Sequence, residues 1–67
     1  MINLTVNGEP HEIHGASTLA ELLHLLNVPP ENLVVELNEE VLQHENYENT
    51  VLKEGDQIEL VRMVGGG

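Results

Sequence analysis

The plainest chemical promise in this 67-residue chain lies in its last three residues, Gly65-Gly66-Gly67. Glycine adds nothing to a core and loses the most conformational freedom on ordering. A flexible tail, 65–67, is therefore expected beyond a folded domain spanning 1–64. The distinctive group of such a tail is the α-carboxylate of Gly67, ionised at neutral pH because its unperturbed pKa is about 3.3–3.7. A carboxylate can attack the α-phosphorus of ATP to give an acyl adenylate, which is then open to a sulfur or nitrogen nucleophile. A tail without β-carbons can thread a narrow channel that any side chain would block, so the reactive end would be carried by this protein and processed by another.

Other chemistry is sparse. His11 and His14 are three apart, which puts them on opposite faces of a strand, and His24 and His44 belong to other elements, so no metal site is expected. The absence of cysteine excludes disulfide staples, thiolate metal sites and thiol catalysis together. With no plausible pair of nucleophile and base, the chain is expected to be no enzyme and to need no cofactor of its own. Two basic residues against 12 acidic ones, net −10, exclude a role resting on phosphate neutralisation and with it a nucleic-acid partner. The acidic surface instead favours basic patches on partner proteins. There is no run of about 20 apolar residues and no basic stretch ahead of an apolar one. Neither a membrane span nor a secretory signal is expected, and the expected location is cytoplasmic.

The elements that must carry the tail follow from periodicity. Tyr47 is the only aromatic residue, so Leu, Val and Ile do the packing. Ile2, Leu4 and Val6 alternate with polar residues, the pattern of a strand with one buried face. Asn7-Gly8 signals a hairpin turn, and Pro10 delays the return strand to 11–14, at a sheet edge. Thr18 and Glu21 form a capping box ahead of Leu19, Leu22, Leu23 and Leu26, a single leucine stripe on a helix. Asn27 and Pro29-Pro30 end that helix. Residues 33–37 read as a third strand, Asn38-Glu39 as a turn and Val41-Leu42 as a short fourth strand. The polar span 43–53 is irregular, with Tyr47, Val51 and Leu52 pinning it to the core and room for one helical turn. Glu54-Gly55-Asp56 is a turn, and 57–64 is the last strand, with Ile58 and Leu60 on one face and Glu59 and Val61 on the other. The class is α+β: a mixed four- to five-stranded sheet with one helix packed across a face and the first and last strands as its central pair.

Val61, Arg62, Met63 and Val64 lie next to the tail and are candidates for partner docking, with plain sheet packing as the alternative for the three apolar residues. Arg62 pairs either with an acidic group on a partner or locally, with Glu59 or another neighbouring carboxylate.

In its order, spacing and length the chain resembles the ThiS-type sulfur carriers, ubiquitin-like β-grasp proteins of thiamine biosynthesis. The resemblance rests on Met1-Ile2-Asn3-Leu4-Thr5-Val6-Asn7-Gly8, Ser17-Thr18-Leu19-Ala20-Glu21-Leu22-Leu23, Val35-Glu36-Leu37-Asn38-Glu39-Glu40-Val41-Leu42, the turn and strand from Leu52 to Leu60, and the diglycine end. It implies a carrier whose terminal glycine, Gly67 with Gly66 as its diglycine partner, is adenylated by an E1-like, ThiF-like enzyme using ATP and Mg. A sulfur relay fed by cysteine desulfurase would then make the thiocarboxylate, for delivery to a ThiG-like thiazole synthase. A MoaD-like carrier for molybdopterin shares fold and tail, and a ubiquitin-like protein modifier would use the same carboxylate. One departure stands out. Family members typically end in two glycines, so either Gly65 stands in for the preceding residue or Gly67 shifts the reactive carbonyl by one residue, about 3.3–3.6 Å.

Overall fold

The computed structural model describes residues 1–63; the expected boundary between domain and tail, with Val64, Gly65, Gly66 and Gly67, lies outside the described residues. Asn7 and Gly8 both take positive φ, 50° and 81°, as a type I′ hairpin turn requires. β1 (Ile2–Val6) therefore turns directly into β2 (Glu9–Ile13), with Val6 opposite Glu9 and Ile2 opposite Ile13. The return strand thus begins two residues earlier than expected and runs through Pro10. The reason is register. The Thr5 N–H donates to the Asp56 carbonyl at 3.0 Å, away from β2, so the Thr5–Pro10 pair exchanges no hydrogen bonds. The missing N–H of Pro10 then faces the open edge, where proline is tolerated.

α1 (Leu19–Leu25) starts at the expected capping box: the Glu21 amide donates to Thr18 Oγ1 at 3.2 Å, and the Thr18 amide donates to Glu21 Oε1 at 2.8 Å. Its end is set by Asn27 at φ 59°. The Asn27 amide donates to the His24 carbonyl and the Val28 amide to the Leu23 carbonyl, the paired bonds of a Schellman cap.

The irregular span holds one 3₁₀ turn, His44–Asn46, and it completes the helix. The Leu19 amide donates to the Thr50 carbonyl at 2.9 Å and the Ala20 amide to the Tyr47 carbonyl at 3.0 Å, satisfying donors that the first turn leaves open. Tyr47 and Leu52 are buried, as expected of pins. Val51 is not a pin, since it is 52% exposed. It forms an isolated antiparallel bridge with Thr18, and alternation along this extended stretch turns Val51 outward when Leu52 points in.

β3 (Leu33–Leu37), β4 (Glu40–Leu42) and β5 (Gln57–Arg62) complete a five-stranded sheet of order β2-β1-β5-β3-β4. β1 and β5 are parallel neighbours near its middle, as expected, while β3 runs antiparallel to both β4 and β5. Leu4, Val6, Ile13, Val35 and Ile58 are buried together with Leu19, Leu22 and Leu23 of the helix stripe. Asp56, the one buried charged residue among the described residues, accepts from the Lys53 amide at 2.8 Å and the Asn38 carboxamide at 3.0 Å. Asn38 in turn accepts from the Gln57 amide at 2.9 Å, so this network fastens the β3–β4 hairpin to the start of β5.

Removing the Asp56 carboxylate leaves two of these donors unpaired. Asp56→Ala should therefore lower stability by about 1–3 kcal/mol in urea denaturation. A second expectation concerns pH. The Asn3 amide, then its carboxamide, donate to Glu54 and hold its carboxyl below the usual range near 4.5. A lowered folded pKa stabilises the fold above the unfolded value, and that contribution is lost as pH falls through the folded one. The stability gap between the parent and Glu54→Gln, followed over a pH series, should narrow from neutral pH into that acid range.

Candidate functional site

The tail is rooted at the end of β5, and the geometry there is set by where its partner strand begins. β5 pairs with β3 as far as Arg62, opposite Leu33, the first residue of β3. β5 therefore ends at Arg62, short of the expected Val64, which lies outside the described residues. The Met63 amide then turns to the Asn32 carbonyl, donating to it at 2.7 Å.

The three described docking candidates part company at this point. Alternation places Val61 on the sheet face turned away from the helix, opposite Val34, with 50% of its surface exposed. Met63, also exposed, lies just past the strand. Arg62 points to the helix side, where its guanidinium donates to the carbonyls of Glu31 at 3.1 Å and Pro29 at 3.4 Å. The expected local pair with Glu59 is absent for a geometric reason: residues three apart on a strand lie on opposite faces. Arg62 serves the connection between α1 and β3 instead.

The open face near the tail root holds two apolar residues that sequence reasoning missed, Val34 and Val41. Val34 is opposite Val61, and Val41, on β4, is opposite Glu36 and diagonal to Val34. A signal was available, because placing Leu33, Val35 and Leu37 inward by alternation leaves Val34 outward. Glu36 also sits opposite Glu59, and like charges in register destabilise a sheet, by up to about 1 kcal/mol. The root thus adjoins a valine strip flanked by carboxylates, a surface complementary to an apolar patch with basic groups around it.

His24 and His44 meet at one open groove of about 730 Å³ between α1 and the 3₁₀ turn, lined also by Leu23, Pro29, Tyr47 and Glu48. The His44 and Tyr47 rings meet edge-on at 5.0 Å. Burial pushes the Tyr47 phenol up, so it stays protonated at neutral pH. His11 lies on β2, and among the described residues no cluster of three metal-ligating side chains forms.

A sequence model of the ThiS family matches residues 4–67. The chain belongs to the ThiS family. Its structure is similar to the crystal structure of a thiamine biosynthesis protein (ThiS) from Geobacter metallireducens, with a TM-score of 0.86 and 43% identity over 98% of this chain and 100% of that one. The mixed sheet with one helix is accordingly the ubiquitin-like β-grasp that the resemblance implied. The sulfur carrier protein ThiS of Thermus thermophilus is 36% identical over 62 residues, 92% of this chain and 95% of that one. A thiazole synthase of Magnetococcus marinus is 42% identical over 66 residues, covering 98% of this chain and 20% of that protein. The chain therefore spans about a fifth of the length of that relative.

The two faces of β5 should respond differently to substitution. Ile58→Ala, which empties a fully buried position, should cost about 2–5 kcal/mol of unfolding free energy. Val61→Ser, on the open face, should cost less than about 1 kcal/mol by the same denaturant titration.

Proposed function

We propose that this chain is a sulfur carrier of thiamine biosynthesis and that its working group is the carboxylate of Gly67. The observation that carries this reading is the match to the ThiS family over residues 4–67, which runs through all three terminal glycines. An E1-like, ThiF-like enzyme using ATP and Mg is the activator. A Gly67 carboxylate oxygen attacks the α-phosphorus of ATP, the bond to the β-phosphate breaks, and pyrophosphate leaves. A sulfur nucleophile, supplied by a relay from cysteine desulfurase, then attacks the carbonyl carbon. AMP departs: hydrosulfide leaves the thiocarboxylate directly, whereas a persulfide leaves an acyl disulfide, whose S–S bond a thiol then cleaves to give the thiocarboxylate and a disulfide.

Thiazole synthase is the proposed acceptor. Stretches of thiazole synthases from Magnetococcus marinus and Paramagnetospirillum magneticum are 42% and 32% identical to this chain over 66 residues. A carrier and its acceptor joined in one polypeptide meet at high effective concentration, so such fusions favour this acceptor over one in molybdopterin synthesis. The carrier contributes no catalytic group and no cofactor. It supplies a surface to grip, in which Val61 and Met63 join Val34 and Val41, and an end to process.

Incubation with a ThiF-type enzyme, Mg-ATP and hydrosulfide should add the mass difference of one sulfur for one oxygen at Gly67. An unchanged mass, under conditions in which the enzyme thiolates another ThiS protein, overturns the reading. Gly66→Ala puts a β-carbon into the threaded tail and should lower kcat/KM for adenylation by about 100-fold, read as pyrophosphate exchange, with no change in unfolding midpoint.

A further inference from the structure

We propose that Arg62 is a positioning residue for the chemistry at Gly67, a role that rests on the sulfur-carrier reading: it clasps the root of the tail to the α1–β3 connection and so sets where the tail leaves the sheet. The chain has 2 basic residues and 12 acidic ones, yet the planar fork of Arg62 binds two backbone carbonyls, Glu31 at 3.1 Å and Pro29 at 3.4 Å. Hydrogen bonds from a charged donor are the stronger kind. The Met63 amide adds a third, to the Asn32 carbonyl at 2.7 Å. Three carbonyls within four consecutive residues thus hold two consecutive residues at the end of β5. The receiving loop is itself stiff, because Pro29 and Pro30 have fixed φ.

The clasp lies where the sheet gives least support. β1 pairs with β5 only as far as Val6 opposite Ile58, and the Leu60 amide is taken by Asn7 Oδ1 at 2.7 Å. Past Leu60, β5 has a strand neighbour, β3, on one side only. Between Met63 and the Gly67 of the proposed chemistry the chain adds four residues, a reach of at most about 13–14 Å. If β5 came loose as far back as Leu60, seven residues would be free, with a reach of about 23–25 Å. A longer tether dilutes its end, as the −3/2 power of length or more steeply, and loosens its orientation. Val34 and Val41 would keep their places in the docking face, because β3 and β4 stay paired. Losing the clasp should therefore slow the step that uses the carboxylate more than it weakens capture of the carrier, which keeps the valines of β3 and β4.

The test uses the full chain with a ThiF-type activating enzyme and Mg-ATP. Carrier kcat and KM are read by pyrophosphate exchange, and amide hydrogen exchange is followed at Met63 and Ile58. In Arg62→Gln, protection at Met63 should fall while Ile58 stays protected, showing an intact fold. Alongside it, kcat should drop about 2–10-fold with KM within about twofold of the parent. Arg62→Lys, which can still donate to the carbonyls, should recover part of both losses. Unchanged Met63 protection, or an unchanged kcat despite its loss, overturns the role. So does a raised KM at constant kcat, which would mark Arg62 as a docking contact. A parent chain that supports no exchange with an enzyme active on another ThiS protein overturns the carrier reading and this role with it, a result distinct from equal kcat in parent and variant.

Discussion

The parallel pairing of β1 with β5 is the contact on which the rest of the molecule depends. Thr5 opposite Gln57 and Val6 opposite Ile58 bring β1 and β5 side by side at the centre of the sheet. Parallel neighbours cannot be joined by a tight turn, so everything between them, from the β1–β2 hairpin to the 54–56 turn, acts as one long crossover. Closing so long a loop costs entropy that only burial and hydrogen bonding offset. The buried Val6 and Ile58, the hydrogen bonds from the Thr5 amide to the Asp56 carbonyl and from the Asn7 amide to the Ile58 carbonyl, and the Asn7 carboxamide on Leu60 supply that return.

Other elements are stable only through one another. A helix of seven residues does not persist alone in water. α1 persists because its leucine stripe covers the sheet and because carbonyls of the irregular 47–50 stretch complete its first turn. That stretch is held in turn by the helix amides and by buried Tyr47 and Leu52. With leucine, valine and isoleucine as nearly the whole core, specificity comes from polar fastenings at the rim: Asp56 with Asn38, and Glu54 with Asn3.

As a sulfur carrier, the molecule separates gripping from reacting. The open face offers valines among carboxylates, including a Glu36–Glu59 pairing that a sheet selected for stability alone would avoid. The glycines proposed to react follow β5 in the chain, and β5 is paired on both sides at its start and held by Arg62 and Met63 at its close.

Much of this was legible in the residues, wherever the physics is local. Alternation marks β1 and the two faces of β5, Thr18 and Glu21 announce the helix start, and Asn7-Gly8 and Asn38-Glu39 announce the turns. Hairpin, helix, strands and turns in this order resemble the ThiS family, and the glycine end raised the chemistry of a carboxylate. What stayed hidden depends on partners distant in sequence. Pro10 is tolerated inside β2 only because β1 turns its Thr5 amide toward Asp56. Val51 points outward because its bridge to Thr18 sets the alternation. Val34 and Val41 become neighbours of Val61 only through the β4-β3-β5 register. Arg62 reads locally as one charge among carboxylates, and only the fold brings it to the carbonyls of Pro29 and Glu31. The sequence by itself determined the elements, since propensity, capping and periodicity act over a few residues, and it pointed to the glycine end. Tertiary structure alone decided which face lies open and how the end of β5 is held, because both are set by register between strands some twenty to fifty residues apart.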